Sequence, residues 1–233
     1  MTEKLRPYRC LDGLTLKCVA MAAMLLDHAG MTLFPDVLWL RCVGRLAFPV
    51  FAFLAAEGFA YTRNFRKYLA RMAVFAVFAE IPFNLACSGH ILCWEKQNVM
   101  WTLCLALLLL RGIGWAREKL PDWEEVAIVA ALVLGMLAGE ILRVDYGGEG
   151  VAMVLLFWLC RREKGGALCQ VIGMFALCAW LGGGICYLAM LALLPIWLYN
   201  GQSGPRNKVI QYTCYVFYPV HLLLLGILTQ YIS

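Results

Sequence analysis

Long apolar runs alternate with short polar stretches along the whole chain. A helix that rises 1.5 Å per residue needs about 20 residues to cross the hydrocarbon core of a bilayer. The runs predict about nine membrane spans, and the short sixth to eighth runs leave eight or ten possible. Their approximate bounds are 15–34, 37–61, 68–87, 98–115, 123–142, 148–160, 167–181, 184–199 and 209–230.

The pattern contains no internal repeat, no low-complexity tract and no linker. It therefore predicts an all-α, polytopic transmembrane helical bundle in which residues 1–233 form a single domain. Composition agrees, since 63% of the residues are hydrophobic and only 15% are charged. A soluble domain averages about 45–50% apolar and about 25% charged residues. The first run carries Lys17 at its entry, which is typical of an uncleaved span rather than a signal peptide.

Basic residues are concentrated in alternate connections between the apolar runs. Sixteen of the 20 lysines and arginines lie there, and the positive-inside rule makes that side cytoplasmic. The net charge of +5 is thus a topology signal rather than evidence for nucleic-acid binding. We expect a multi-pass protein of the cell membrane with its N-terminus cytoplasmic and its C-terminus extracytoplasmic. The sixteen are Lys4, Arg6, Arg9, Lys17, Arg63, Arg66, Lys67, Arg71, Arg111, Arg117, Lys119, Arg161, Arg162, Lys164, Arg206 and Lys208.

Five ionisable residues lie too far from the ends of the predicted spans to reach the interface. They are Asp27, His28, Arg45, Glu80 and His221. Intramembrane ionisable groups mark cavities or functional sites by default. Counted along the helices, they extend from the midplane outward, and Arg41 lies one turn from Arg45 on the same face. We therefore expect these side chains around a polar cavity that opens outward; the alternative is a static network of ion pairs.

Asp27 and His28 are adjacent in the first span. A carboxylate beside an imidazole can fix its tautomer and suit it to general-base chemistry, so His28 is the candidate base. Adjacent helical residues point about 100° apart. Asp27 thus has two candidate roles, as the support of His28 or as the ion-pair partner of Arg41 or Arg45. His221 is either a member of the site or a hydrogen-bonded core histidine.

The segment Glu80-Ile81-Pro82-Phe83-Asn84 interrupts the third span with a proline and two polar residues on one helix face. Such segments line cavities in membrane proteins, and a packed kink is the alternative.

The sequence has no motif of a serine hydrolase, a zinc protease or another metal site. There is no GxSxG elbow, no HExxH, no CxxC and no His/Cys cluster, so we expect no metal site. Cys87 and Cys93 flank a polar loop and are the one pair considered for a disulfide.

Five stretches, taken in order, resemble the TraX family, which is named for a conjugation protein that N-acetylates pilin. They are "LKCVAMAAMLLDH", "RCVGRLAFPVFAFLAAEGFAYTRNFRKYLARM", "AEIPFNL", "NVMWTLCLALLLL" and "CYVFYPVHLLLL". The resemblance covers essentially the whole chain and is densest over residues 14–110 and 209–226. Each stretch alone is weak, but the ordered set is specific.

The chain also resembles, more loosely, the integral-membrane acyltransferases that O-acetylate sugars. The matching features are His28, the step Glu57-Gly58-Phe59 followed by Arg63 and Arg66, and Tyr218-Pro219-Val220-His221. Two features depart from that pattern: Glu57 stands where those enzymes have a small hydroxyl residue, and Asp27 precedes His28.

These resemblances imply transfer of an acyl group from cytoplasmic acetyl-CoA to an extracytoplasmic acceptor, which is a protein, a glycan or a small molecule. His28 would act as the base, with Asp27 in support. Arg45 or Arg41 would stabilise the thioester oxygen, and Glu80 would orient the acceptor or an arginine. The residues implied to bind the cofactor are Arg63, Arg66, Lys67, Glu57 and Gly58. Those implied to bind the acceptor are Asn84, Tyr218 and His221.

Other interpretations of these residues and of the function are open. The basic residues Arg63, Arg66 and Lys67 serve equally well as plain topology determinants. Buried acid, base and histidine sets also form proton relays, so a proton-coupled transporter is one alternative. A non-catalytic factor in pilus or envelope assembly is the other.

Overall fold

The computed structural model describes residues 9–161, 165–205 and 207–232, and this part of the chain is helical. The all-α prediction is therefore confirmed. Five residues used above to orient the chain, Lys4, Arg6, Arg162, Lys164 and Arg206, lie outside the described residues. The helices are α1 (Gly13–Thr32), α2 (Leu38–Gly44), α3 (Ala47–Tyr61), α4 (Phe65–Ser88), α5 (Val99–Lys119), α6 (Glu124–Ile141), α7 (Gly147–Leu159), α8 (Gly166–Trp180), α9 (Leu193–Trp197) and α10 (Lys208–Ile232), with 3-10 helices at Pro121–Trp123 and Gly184–Ala192.

Every predicted span coincides with a helical segment, but two differ in form. The second is broken at Arg45 and Leu46 into α2 and α3, and the eighth is a 3-10 helix followed by the short α9. Five helical segments of the described residues are long and apolar enough to cross a membrane. The chain is a multi-pass membrane protein, while the count of nine spans stays a prediction. The five segments are Gly13–Thr32, Leu38–Tyr61, Phe65–Ser88, Val99–Lys119 and Lys208–Tyr231.

Polar side chains begin three of the long helices. Asp12, Asn64 and Asn98 accept hydrogen bonds from backbone N–H groups in the first turns of α1, α4 and α5, at 2.8–3.1 Å. Such N-caps satisfy donors that the helix itself leaves free. The bonds from the Thr15 backbone N–H and hydroxyl also lower the pKa of the Asp12 carboxyl, because they stabilise its charged form.

Helix α7 forms the centre of the bundle. It packs against α3, α5, α6 and α8, and Val151, Val154 and Leu155 are fully buried. Helix α6 lies outside it and exposes large apolar side chains such as Val129, Leu134 and Ile141. An outward apolar face of this kind suits a lipid environment, where it costs nothing to expose.

The connections alternate between two ends of the bundle. At one end, Leu11 exchanges backbone hydrogen bonds with Leu198 and Asn200, at 3.1 and 2.8 Å. At the far end, Gln97 exchanges them with Arg143 and Asp145, both at 2.8 Å. The α4–α5 and α6–α7 connections therefore lie together, as nine crossings require. With only the five long segments crossing, residues 120–207 would all stay on one side, away from Gln97.

Reporter insertion can test whether the chain crosses the membrane nine times or five times. In the full-length chain, alkaline phosphatase inserted after Leu142 should be active, and green fluorescent protein inserted after Lys119 or Gln202 should fluoresce. Nine crossings put Leu142 on the same side as the C-terminus, which is the side predicted to be extracytoplasmic. An inactive phosphatase after Leu142, with an active fusion at Ser233 as control, would leave five crossings as the better count.

Candidate functional site

Asp27 lies between two arginines and does not contact His28. Arg45 Nη2 lies 2.7 and 2.9 Å from the two carboxylate oxygens of Asp27. Arg41 Nη1 lies 3.0 Å from Asp27 Oδ2 and also donates to the Asp27 carbonyl oxygen at 3.0 Å. Asp27 is buried, so this pairing supplies the countercharge that burial of a carboxylate requires. Of the two roles open to Asp27, the structure shows the ion-pair role.

Small residues allow α2 to approach α1 closely enough for this pairing. Gly44 faces Asp27 so closely that a β-carbon would overlap the carboxylate, and Gly30 faces Leu40 in the same way. The break after Gly44 puts Arg45 at the elbow between α2 and α3. Its backbone N–H still bonds to the Arg41 carbonyl at 3.2 Å, so both arginines stay on one face.

His28 forms a pair with His221. The Nδ1 atom of His28 lies 2.7 Å from Nε2 of His221, and the rings stack with centroids 5.0 Å apart. The second nitrogen of His221, Nδ1, lies 2.7 Å from the Phe217 carbonyl oxygen. The structure thus brings together two histidines that are 193 residues apart in sequence.

These contacts assign the tautomers of both rings. A carbonyl oxygen only accepts, so Nδ1 of His221 must carry its proton. With both imidazoles neutral, Nε2 of His221 is then the acceptor and Nδ1 of His28 is the donor. The remaining nitrogen, Nε2 of His28, is left with a free lone pair, and no described residue hydrogen-bonds to it. A fixed tautomer with one free nitrogen is the form that a general base requires.

His28, Asp27, Arg41 and Arg45 line a cavity of about 340 Å³. Three residues not named above as site candidates also line it: Lys96, Asp145 and Tyr146. Lys96 and Asp145 form an ion pair at 2.7 Å. With neutral imidazoles, three cations and two anions face the cavity, so its charged groups carry one net positive charge. Lys96 is one of the four basic residues outside the set predicted to be cytoplasmic, and this is the sequence feature that could have indicated the group.

Tyr146 has a strained backbone for an aromatic residue. Its φ of 62° lies in the left-handed region at the start of α7, and its ring stacks on Phe48 with centroids 4.0 Å apart. Non-glycine residues rarely adopt this conformation, and such positions cluster at functional sites. In the sequence, the two glycines after Tyr146 indicate a turn, but they do not show that the tyrosine faces a cavity.

Glu80 and Asn84 do not join this cavity. Glu80 accepts hydrogen bonds from the Asn98 side chain and from Trp101 Nε1, the latter at 3.1 Å, and forms no ion pair with a described residue. Asn84 is buried and donates to the Ile91 carbonyl at 3.4 Å, which ties α4 to the following loop. Glu80 therefore contacts neither Arg41 nor Arg45, contrary to its expected role of orienting an arginine, because its partners lie at the start of α5.

The implied cofactor residues are divided among three places. Arg63, Arg66 and Lys67 are exposed around the start of α4. Gly58 lines a second cavity, described below. Glu57 instead forms a largely buried ion pair with Arg161 at 2.6 Å, and these two residues line a third cavity. Cys87 and Cys93, considered above for a disulfide, are free thiols.

Tyr218 lies between the histidine pair and the second cavity. Its ring centroid is 6.4 Å from that of His28 and 5.8 Å from that of His221. The side chain is buried, with 5% of its surface exposed.

Comparison with known proteins defines the family. A family model described as "TraX protein" matches residues 12–229, so the chain belongs to the TraX family. It is 32% identical to "Probable fimbrial assembly protein FimC, serogroup H1" of Dichelobacter nodosus, over 90% of this chain and 92% of that protein. It is 26% identical to a "Protein TraX" of Escherichia coli, over 91% of this chain and 85% of that protein. No solved structure matches.

Replacing Asp27 by asparagine tests the ion-pair role. We expect the variant to lose about 3 kcal/mol of unfolding free energy, because two partly buried arginines lose their countercharge. Unfolding of the purified protein in detergent would measure the loss. Asp36→Asn, at an exposed position, is the matched control, and equal effects of the two substitutions would contradict the role assigned to Asp27.

Proposed function

We propose that this protein is an integral-membrane acyltransferase, acting as an acetyltransferase. It would transfer an acyl group from cytoplasmic acyl-CoA to an amine or hydroxyl of an extracytoplasmic acceptor. The observation that supports this most strongly is the hydrogen-bonded series from the Phe217 carbonyl through His221 to His28. It leaves a free basic nitrogen of His28 at a cavity that also holds two guanidinium groups.

In the proposed reaction, Nε2 of His28 accepts the proton of the acceptor amine or hydroxyl. The acceptor atom attacks the thioester carbonyl carbon, the carbon–sulfur bond breaks, and the CoA thiolate takes the proton back from His28. While His28 is protonated, its Nδ1–H remains bonded to Nε2 of His221. His221 thus holds the ring in place and, as the hydrogen-bond acceptor of Nδ1–H, stabilises the imidazolium; a carboxylate occupies this position in other dyads.

Arg41 and Arg45 supply the electrostatic stabilisation of the proposed transition state. Each guanidinium has five N–H groups, and only some of them are used by Asp27, so the others remain available to a ligand oxygen. The net positive charge of the cavity favours the negative charge that develops on the thioester oxygen. Fixed donors in a site with little water are worth more than the same groups in solution.

A non-catalytic role in assembly is the second candidate. It is supported by the printed name of the relative from Dichelobacter nodosus, a probable fimbrial assembly protein. In that case the ion pairs and the histidine pair would serve to hold α1, α2 and α10 together. The acceptor of the proposed enzyme could equally be a fimbrial or pilus subunit, so the two candidates differ in chemistry rather than in biological setting.

Acyl transfer separates the two candidates. We expect purified protein with radiolabelled acetyl-CoA to label an acceptor from a panel of peptide amines and glycans. His28→Gln should lower the rate by about 10²–10⁴-fold, which is the usual contribution of a general base.

The third histidine provides a matched control. His90 is exposed in the α4–α5 connection, so His90→Gln should retain the wild-type rate. Two results would refute the proposal: no thioester turnover with any acceptor, or a His28→Gln variant as active as the wild type.

A further inference from the structure

A second cavity of about 340 Å³ lies between α1, α3, α4, α5 and α10. Most of its lining is apolar, with several methionines and with Phe51 and Leu54. Lys17, Arg71 and Gln211 also line it. These three belong to the first two turns of α1, α4 and α10, at the end of the bundle that holds Leu11. The cavity therefore has a basic mouth and an apolar interior.

The inner part of this cavity adjoins the cavity that holds His28. Met24, Phe51 and Val99 line both. Met24 lies one helical turn before His28 on the same face of α1. A ligand that extends through the second cavity would thus end beside the histidine pair.

Two buried polar atoms in this cavity lack hydrogen-bond partners among the described residues. They are the Tyr218 hydroxyl and Nε of Arg71. The Tyr218 hydroxyl can donate its proton and can also accept a hydrogen bond. Unsatisfied buried donors are costly and are rare in folded proteins unless a ligand completes them. One lies at the inner part of the cavity and the other toward its mouth.

We propose that this cavity binds the acyl-pantetheine arm of acyl-CoA. The phosphates would bind Lys17 and Arg71 at the mouth, and the Tyr218 hydroxyl would donate to the acyl carbonyl oxygen. This inference rests on the proposed function and adds the route and a further donor to it. The ligand chemistry is a phosphate head with a slender arm, which a phospholipid shares, so the test below separates the two sources.

The size of the cavity supports an arm rather than a whole cofactor. Small-molecule sites measure about 300–1,000 Å³, and this cavity is near the lower limit. The nucleotide of CoA would then stay outside the mouth. Thr62 lines the cavity and Arg63 follows it directly, so the exposed basic residues at the start of α4 are placed to attract that nucleotide electrostatically.

Comparison of two ligands tests the assignment on the full-length protein in detergent. Acetyl-CoA carries the phosphates, and S-acetylpantetheine has the same arm without them. Lys17→Ala and Arg71→Ala should each weaken acetyl-CoA binding about tenfold, which is typical for loss of a charged hydrogen bond. Both should leave S-acetylpantetheine affinity within about twofold. Met21→Trp, which fills the cavity, should weaken both ligands, and Lys119→Ala, exposed and outside the lining, should affect neither.

Tyr218→Phe tests the inner part of the cavity. We expect kcat to fall about 10²-fold, as on removal of an oxyanion donor, while the Kd for acetyl-CoA stays near the wild-type value. A structural role for the hydroxyl would instead change stability and binding together.

The outcomes distinguish the two proposals. If the wild type turns over acetyl-CoA but Met21→Trp and Lys17→Ala bind it normally, the proposed binding cavity is wrong and the proposed acyltransferase activity is unaffected. If the wild type binds neither ligand, both proposals fail. If the cavity instead retains phosphatidylglycerol, and Met21→Trp abolishes that retention without acetyl-CoA competing, the phosphate head belongs to a lipid and the assignment to acyl-CoA is wrong.

Discussion

The ion pair of Asp27 with Arg41 and Arg45 is the interaction on which the candidate site depends. Three charges inside a membrane protein are tolerated because each guanidinium lies within 3.0 Å of the Asp27 carboxylate. Their pairing joins α1 to α2 and holds the elbow before α3 in place. It also leaves one positive charge uncompensated, which gives the cavity its sign. His28, next in sequence to Asp27, is thereby directed away from the carboxylate.

The second constraint is the packing of α10 against α1. It brings Phe217, Tyr218 and His221 to His28, and a single carbonyl oxygen then determines the tautomer of both imidazoles. The two cavities adjoin each other at Met24 of α1, which lines both. The polar groups thus follow one another from one end of the bundle toward the other. The order is Lys17, the Tyr218 hydroxyl, the pair of His28 and His221, and the guanidinium groups of Arg41 and Arg45.

Much of this site could be predicted from residue order. The cost of burying charge singles out Asp27, His28, Arg45 and His221 without any structure, because ionisable residues inside apolar runs need a reason. Glu80 met the same criterion, yet it hydrogen-bonds to Asn98 and Trp101 instead. The depth of a residue along a helix is readable from spacing, but the neighbour that it faces is not.

Apolar run length accounts for the helices, since each helix satisfies its own backbone hydrogen bonds, and five ordered stretches of sequence account for the family resemblance. Tertiary structure alone decided that Asp27 belongs to the arginines, that Tyr146 and Lys96 face the cavity, and that α2 and α3 are separate helices. The physical reason is that lipid is as apolar as the packed face of a helix, so composition does not reveal which face meets a neighbour. Close contacts such as Gly44 against Asp27 settle the rotation of each helix, and they exist only in the assembled bundle.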